Sequence, residues 1–445
     1  MRFTKSFPIR VGWIALVGLL LPGCGSREGT SSAGPSSCEP TTREFSLFLA
    51  GDSIIVEPWS AIADPPFLKL IDEVRSADAA VTNLETVIHE FKGYPQADSG
   101  GIHMASPPVI ATELAWAGFD VVGHANNHSF DYGSIGVLET LDNVKKAGLA
   151  LAGSGKDLQS AREPAYFESP KGVLAVVSAA STYTSYGRAG RSRADVHGRP
   201  GVNPLKVSWH RTLAITDSIS VTIRTKARID PADLEANLDA VRAARARADL
   251  VVFSLHAHET GSWLSPLAHR LIDAGADVVL THGPHEVRGI EIYRCRPILY
   301  GLGDFVYQAQ HVKRVPADSY EGFRMKDDAT WDDLTKRRET AGDWSLYKKR
   351  EAWEGLGAVV KFGQHGATEV RLVPVDLGFE LPVLDRGVPK LAGPQLGRKI
   401  VGDVIEASKP FDTHIEYVES RNIGLITIRQ ADKLTTAAPS EPAVP

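Results

Sequence analysis

The stretch FDVVGHANNHSFDYGS, residues 119–134, decides the fold of this chain. It begins with a short apolar run that ends at Gly123, which is typical of a buried strand. Polar residues of metal-binding types follow, and Ser134 then opens an amphipathic pattern that predicts a helix closed by Gly148. A strand that leads through a polar loop into a helix is the repeating unit of α/β proteins. The stretch therefore predicts an α/β fold with polar groups at a strand end.

The same unit recurs to both sides of this stretch. Predicted strands cover Phe45–Ala50, Ala79–Thr82, Phe119–Gly123, Val173–Ser178, Leu250–Leu255, Asp277–Thr281 and Pro297–Tyr300. A Ser or Asp before a Pro is a common helix start and Gly a common stop. On these signals, helices are predicted from Ser106-Pro107 to Gly118, from Asp230-Pro231 through Ala248 and from Ser265-Pro266 to Gly275.

The composition excludes a disordered, collagen-like or polytopic membrane protein for most of the chain. The 445 residues are 43% apolar and 23% charged, which is ordinary for a globular chain. The net charge is −5 and no basic stripe is present, so we expect no nucleic-acid partner. Three cysteines are too few for a disulfide scaffold or a cysteine zinc site. Any metal must therefore be held by His and by carboxylate or amide oxygen.

Residues 1–23 have the features of a targeting signal. A basic segment precedes an apolar run at Val11–Leu21, which is shorter than the roughly 20 residues of a spanning helix. The Leu-Pro-Gly-Cys sequence that follows resembles a bacterial lipobox, in which Cys24 becomes the lipidated N-terminus. We therefore expect a cell-envelope protein, lipid-anchored on the periplasmic or outer face of a bacterial membrane. The alternative is an ordinary secretory signal with an incidental Cys.

The chain between the signal and the first strand is predicted to be a tether. Residues 24–43 are rich in Ser, Gly, Thr and Pro and bury little apolar surface. Cys38 lies within them, and Cys295 is the one further Cys once Cys24 is modified. In an oxidising compartment these two either form a disulfide or remain free thiols.

The remaining residues are predicted to form one domain and a tail. The domain covers residues 44–432, and residues 433–445 form a disordered tail rich in Ala, Pro and Ser. Within the domain, residues 308–353 are charged and rich in aromatic residues. They are predicted to form either a lid over the site or a cover for a sheet edge.

Candidate ligands follow several of the predicted strands. They are Asp52 after the first strand, Glu85 after the second, Asn127 and His128 after the third, His256 and His258 after the fifth, and His282 and His285 after the sixth. Polar residues at the carboxyl ends of parallel strands meet at one edge of an α/β sheet. We therefore expect these side chains to share one site.

The order of these motifs resembles a known family. The motifs are GD at 51–52, NLE at 83–85, ANNHSFDYG at 125–133, RPGVNPL at 199–205, SLHAHE at 254–259, THGPHEVRGIE at 281–291 and YGLGDF at 300–305. The series is similar over residues 45–430 to that of the CapA family, the bacterial capsule or poly-γ-glutamate biosynthesis proteins related to calcineurin-like metallophosphoesterases. The resemblance implies a four-layer α/β sandwich, in which two packed β-sheets are flanked by helices.

The same resemblance implies a metal site. Metallophosphoesterases hold two cations about 3.5–4 Å apart with Asp, Asn and His ligands. By similarity the ligands are Asp52, Glu85, Asn127, His128, His256 and His285, with His282 as an alternative. Mixed nitrogen and oxygen ligands favour Mn, Fe or Zn. Glu85 replaces a bridging Asp, so either one or two ions are expected.

The implied function is a role in capsule or poly-γ-glutamate biosynthesis. The favoured class is a metal-dependent hydrolase or transferase that uses a metal-activated water, with His282 or His258 as the general acid. The alternative is a noncatalytic polymer-binding or export component with a structural metal site. The expected partners are an anionic capsule polymer or its precursor, the membrane through the lipid anchor, and polymer synthetase or export subunits.

Overall fold

A computed structural model describes residues 44–428 except 100, 216–220 and 341–344. The predicted signal segment, Cys24, the tether with Cys38 and the predicted tail lie outside the described residues. Among the residues that the structure does describe, no helix is both long and apolar enough to cross a bilayer.

The elements alternate as the sequence predicts. The strands are β1 (Phe45–Ile54), β2 (Ala79–Leu84), β3 (Val87–Ile88), β4 (Ala105–Ser106), β5 (Val121–Gly123), β6 (Ala150–Ala152), β7 (Ser154–Gly155), β8 (Ala165–Ser169), β9 (Gly172–Ala180), β10 (Gly201–Val202), β11 (Val207–Ile215), β12 (Val221–Ile229), β13 (Leu250–His256), β14 (Val278–His282), β15 (Ile290–Tyr293), β16 (Arg296–Leu299), β17 (Asp304–Tyr307), β18 (Glu354–Gly363), β19 (Gly366–Asp376), β20 (Lys390–Leu391), β21 (Glu416–Val418) and β22 (Ile423–Thr427). The helices are α1 (Pro65–Arg75), α2 (Val109–Ala117), α3 (Gly133–Lys146), α4 (Leu158–Arg162), α5 (Pro231–Arg245), α6 (Leu264–Asp273), α7 (Ala317–Gly322), α8 (Trp331–Thr340), α9 (Ser345–Lys348) and α10 (Pro394–Ser408).

Within the described residues, most strands belong to two sheets. The larger has ten strands, in the order β21-β22-β19-β18-β1-β2-β5-β6, with β17 paired to β1 and β20 to β19. The smaller has six strands, in the order β15-β16-β14-β13-β9-β8. Strands β1, β2 and β5 are mutually parallel, as are β9, β13 and β14. Each sheet therefore gathers the carboxyl ends of several strands at one edge.

The two sheets pack face to face because their strands are apolar on both faces. Leu47 and Leu49 of β1 lie in the core between the sheets, with Val176 and Val252 of the smaller sheet. Phe48, between the two leucines, points the other way and packs with the buried faces of α1 and α2. A strand covered on both sides reads as a continuous apolar run, which is why β1 is recognisable from the sequence.

A second helical layer covers the outer face of the smaller sheet. Val251 and Phe253 of β13 pack there with Leu238 of α5 and Leu267 of α6. The order of layers is therefore helix, larger sheet, smaller sheet, helix. This arrangement confirms the predicted four-layer α/β sandwich, and all of the predicted strands are present.

One helix begins later than the sequence predicts. The signal Ser106-Pro107 places the start of α2 there, but the helix begins at Val109. Ser106 belongs instead to the short strand β4, where its hydroxyl donates to the carbonyl of Ile55 at 2.7 Å. The predicted stop is correct, because Gly118 closes the helix with a left-handed φ of 98°.

Strand β1 changes its neighbour at Gly51-Asp52. Its residues 45–50 pair with β18, whereas Asp52 and the residues after it pair with β17. A Cβ atom on Gly51 would lie 1.9 Å from the carbonyl oxygen of Gly303, so only glycine permits this approach. The change of neighbour opens the sheet where the candidate site lies.

Candidate metal centre

The predicted ligands come together from the carboxyl ends of strands in both sheets. Asp52 lies in β1 and Glu85 follows β2, while His256 and His282 end β13 and β14 as register partners. All four are at most 2% exposed. These residues therefore lie close together, as expected. The identity of a bound ion stays a prediction.

Asp52 is held by neutral donors on two sides. Asn83 donates its amide to Oδ1 at 2.7 Å, and the backbone N–H of Gly283 donates to Oδ2 at 2.9 Å. The Nδ1 atom of His282 lies 3.2 Å from Oδ1 and that of His285 lies 3.6 Å from Oδ2. The carboxylate is thus fixed with both oxygens toward the histidines.

Three histidines form a chain of ring contacts beside Asp52. The Nδ1 atoms of His256 and His282 lie 2.9 Å apart, and the Nε2 atoms of His256 and His258 lie 3.0 Å apart. The other nitrogen of His282 lies 2.8 Å from the hydroxyl of Ser254. Several imidazole nitrogens that converge beside buried carboxylates fit a metal site whose ligands point to one position.

Glu85 supplies a second group of ligand atoms. Its carboxylate is fully buried, and neither oxygen accepts a hydrogen bond from the described residues. One ligand atom each from Glu85, His258 and His285 lie within 4.8 Å of one another. An ionised buried carboxylate with no donor is strongly destabilising, so this geometry fits a cation.

Asp304 joins the cluster, although it is not among the predicted ligands. Its Oδ1 atom lies 2.8 Å from Nδ1 of His285, and its buried Oδ2 atom accepts no hydrogen bond in the described part of the chain. One ligand atom each from Asp52, His285 and Asp304 also lie within 4.8 Å of one another, as do those of Asp52, His256 and His282. Three carboxylates and four histidines therefore form overlapping groups that fit one or two divalent ions.

Without a cation these groups strongly perturb one another. Burial and the charge of Asp52 hold the pKa of Glu85 well above its usual value. Burial also opposes ionisation of Asp52, but the hydrogen bond and charge of His282, with the charges of His256 and His285, outweigh it and lower the pKa of Asp52. Burial lowers the pKa of His256 and brings that of His258 to about 3, which favours the neutral imidazole required for ligation.

The backbone near His285 is adapted to the site. His285 has a left-handed φ of 56°, which is uncommon for a residue with a side chain and stores strain. Gly283 has a φ of 115°, and a Cβ atom there would lie 3.0 Å from the ring of His258. Glycine at this position lets the backbone N–H reach Asp52 while leaving room for His258.

Asn127 and His128 lie beside the cluster and line the same cavity. His128 does not belong to the grouped ligand atoms of the described residues. Its Nδ1 atom lies 2.7 Å from Oδ2 of Asp131, which also accepts the backbone N–H of Met104 at 2.7 Å. Asp131 therefore fixes the ring of His128 with Nε2 available on the other side, which is the arrangement of a proton donor.

Other polar residues of the strand ends support the site or the fold. Asn126 donates to the carbonyl of Leu84 at 2.8 Å and to Oδ1 of Asn83 at 3.2 Å, which orients the amide that holds Asp52. The ring nitrogens of His124 contact the Ser154 hydroxyl and the Thr86 carbonyl, so this histidine is structural.

A cavity of about 420 Å3 leads to the cluster. Its lining includes His128, His258 and His285 together with Leu346 and Lys349. The last two belong to the 308–353 segment, so this segment forms part of the cavity wall, while its action as a lid stays a prediction. A volume of this size is within the range of small-molecule sites.

Cys295 lies away from the cluster, between β15 and β16, and is disulfide-bonded. Its predicted partner, Cys38, lies outside the described residues. The pairing of these two cysteines stays a prediction.

Comparison with known proteins gives the family. The model described as "Bacterial capsule synthesis protein PGA_cap" matches residues 46–309. An uncharacterized Sinorhizobium fredii protein, y4sH, is 32% identical over 432 residues, which cover 86% of this chain and 93% of that protein. The PGA biosynthesis protein CapA of Bacillus subtilis is 28% identical over 250 residues, which cover 55% and 57% of the two chains.

Two further comparisons concern a mycobacterial relative and a solved structure. A probable polyglutamine synthesis accessory protein of Mycobacterium tuberculosis is 32% identical over 256 residues, covering 56% of this chain and 58% of its own. The crystal structure of a novel phosphatase from Mycoplasma pneumoniae aligns with a TM-score of 0.39 and 11% identity over 75% of this chain and 94% of its own. The family match covers more than half of the sequence, and it confirms the resemblance seen in the motifs. The chain therefore belongs to the PGA_cap family, the CapA-like proteins of bacterial capsule and poly-glutamate biosynthesis.

Proposed function

We propose that this protein is an envelope-anchored, metal-dependent hydrolase or transferase that acts on a capsule polymer or on a phosphoester. One observation carries the proposal. Three buried carboxylates and four histidines converge at the end of a cavity, and buried oxygens of Glu85 and Asp304 lack hydrogen-bond donors among the described residues. A purely structural cluster would satisfy these oxygens with donors of the chain itself.

The residues fit one or two divalent cations. Asp52, His256 and His282 would hold one position, and Glu85, His258 and His285 a second, with Asp304 between them. Their mixture of nitrogen and oxygen donors suits Mn, Fe or Zn. When bound, such a cation supplies Lewis acidity, which stabilises negative charge and makes water more acidic. The chain contributes the fixed geometry, since Asn83 and Gly283 hold Asp52 in place.

Proton transfer falls to a histidine that faces the cavity. His282 is 2% exposed, and its two ring nitrogens face Ser254 and the Asp52–His256 pair. His258 lines the cavity but also belongs to a ligand group. His128 lines the cavity, and its contact with Asp131 leaves Nε2 to donate a proton to a leaving group. We therefore assign the proton donor to His128 in preference to the predicted His282 and His258.

The envelope location forms part of the proposal. The lipobox-like sequence at Cys24 motivates it, since one or two acyl chains hold a protein at a membrane surface. The names of the CapA relatives associate the family with capsule and PGA biosynthesis, and an anionic polymer with its synthetase or export subunits is the partner that this association supports.

The test combines metal analysis with turnover. The full-length chain is purified in detergent, its metal content is measured, and hydrolysis of bis(p-nitrophenyl) phosphate and of poly-γ-glutamate is assayed before and after chelation. We expect bound metal, turnover that chelation abolishes and that Mn or Zn restores, and no turnover for Asp52→Asn. The exposed Asp239 on α5 provides a matched control, Asp239→Asn.

Full turnover after verified metal removal would contradict the proposal. Bound metal without turnover on either substrate, together with retained polymer binding, would instead support the noncatalytic binding or export component.

A further inference from the structure

We propose that Lys349 binds an anionic group of the substrate, a carboxylate or a phosphate, at the mouth of the metal cavity. This inference rests on the proposed function and deepens it, because it assigns a specificity residue to the same site. Lys349 directly follows α9 in the 308–353 segment and lines the cavity that also contains His258 and His285.

A cation at the mouth of the cavity complements the negative charges at its inner end. The cluster at the inner end contains the carboxylates of Asp52, Glu85 and Asp304. These groups repel an anionic substrate unless metal ions and other cations offset them. An additional positive charge at the rim attracts an anionic unit and fixes its position relative to the cluster.

Apart from the histidines, two cationic side chains of the described residues line this cavity, Arg288 and Lys349, and the first is already paired. Nε and Nη2 of Arg288 donate to one carboxylate oxygen of Glu286 at 3.1 and 2.6 Å, and Nη1 contacts the hydroxyl of Thr260. Its guanidinium is therefore held against the wall and largely neutralised.

Unlike Arg288, Lys349 has no carboxylate partner among the described residues. It is exposed, and no carboxylate of the described residues lies within ion-pair distance of its ammonium group. Its neighbour Arg350, by contrast, pairs with Glu380. Among the described residues, the ammonium of Lys349 is thus a cation at the mouth that can accept a new partner.

The rest of the lining indicates the chemistry of the bound unit. Apolar side chains form part of the wall of the same cavity: Ile54, Ile102, Met104 and Leu346. Such a wall suits a short aliphatic stretch, with an anion at one end and the reacting bond at the other. A glutamyl unit has this form, and so does a phosphorylated unit with an aliphatic linker.

The test measures binding to the metal-loaded, full-length chain. The probes are a γ-linked glutamate tetramer, the same tetramer with carboxamides in place of its free carboxylates, and inorganic phosphate. We expect the parent to bind the acidic tetramer more tightly than the amide, and Lys349→Gln to raise its Kd about threefold to tenfold. Lys349→Arg should retain affinity and Lys349→Glu should lose more.

The control is Lys348→Gln, because Lys348 is exposed on the same helix end but does not line the cavity. If Lys349→Gln weakens only phosphate binding, the recognised anion is a phosphate rather than a carboxylate. If Lys349→Gln and Lys348→Gln both bind every probe as the parent does, the assignment is wrong.

This outcome is separable from that of the hydrolase proposal, because binding needs no turnover. If the parent has no hydrolytic activity but its affinity for the tetramer still depends on Lys349, the assignment of Lys349 as a binding residue stands. If the parent is active and Lys349→Gln has the same KM and kcat, the assignment of Lys349 is wrong and the hydrolase proposal is unaffected.

Discussion

Asp52 and Asp304 lie opposite each other on the neighbouring parallel strands β1 and β17, and each directly follows a glycine. The backbone N–H of Asp52 donates to the carbonyl of Gly303 at 3.2 Å, which is possible because Gly51 carries no side chain. The two Gly-Asp steps thus place a pair of carboxylates side by side, with His285 between them.

Asp304 should be needed for metal affinity. Asp304→Asn removes one negative charge and retains the shape, so we expect metal affinity to fall about 10- to 100-fold. Equilibrium dialysis with Mn or Zn measures the change, with Asp239→Asn as the exposed control. The role of Asp304 is refuted if the variant binds metal with parental affinity and stoichiometry.

Glu85 should couple metal binding to stability. Glu85→Gln removes a buried carboxylate that lacks donors, so the chelated variant should melt at or above the temperature of the chelated parent. Added metal should raise the free energy of unfolding of the variant by less than that of the parent. For the parent the increase is about 2.7 kcal/mol when the free metal concentration is a hundredfold above its Kd. Glu85→Asp retains the charge on a shorter arm and should change the number of bound ions. Thermal melts with and without metal measure these changes. If metal stabilises the parent and Glu85→Gln equally, Glu85 is not a metal ligand.

His128 should affect turnover more than metal content. If it donates a proton, His128→Ala lowers kcat about 10²- to 10⁴-fold and leaves the metal stoichiometry intact. Asp131→Asn should change the pH profile of kcat because it alters the hydrogen bond to the ring. The exposed His197 serves as control through His197→Ala. Loss of metal from His128→Ala would instead support the predicted ligand role.

Asp120 should make stability depend on pH. Burial raises its pKa to about 6, although the backbone N–H of Ala80 donates to it. A pKa raised in the folded state gives stability that is present below about pH 4 and lost as the pH rises through 6. Asp120→Asn avoids this loss, so its stability relative to the parent should increase by about 1 kcal/mol from pH 4 to 7, after allowance for partial exposure. Denaturant titrations at the two pH values test this, and a constant difference would be the contrary result.

Cys24 should determine where the protein fractionates. Cys24→Ser removes the thiol that would carry the acyl chains, so we expect unprocessed or soluble protein instead of a membrane-bound form. Fractionation and gel migration of the two proteins measure the effect. A Cys24→Ser variant that behaves as the parent does would leave the ordinary secretory signal as the explanation.

The layered fold was predictable because its strands are buried on both faces. Such strands appear as short apolar runs, and the polar residues that follow them mark the site edge. The hairpin of β18 and β19 was not predicted, since it follows the charged 308–353 segment and has no ligand residues at its ends. Its pairing with β1 is a long-range contact that local patterns do not contain.

The site was predictable only where its ligands follow a strand. Asp304 begins β17, so a search of residues after strands passes over it, although the second Gly-Asp step is a visible signal. His128 was grouped with Asn127 as a ligand because the two resemble the Asn-His pair of metallophosphoesterases. Its orientation depends on Asp131 and on the fold of the loop around Met104, which the residue order alone does not specify.

Strand β1 enters the larger sheet at Phe45 and reaches Asp52 seven residues later, about 23 Å away in an extended strand. Any attachment upstream of Phe45 therefore joins the domain at the end of β1 that is remote from the metal cluster. If Cys24 is lipidated, the chain from the anchor joins the domain at this remote end and leaves the cavity clear for a polymer.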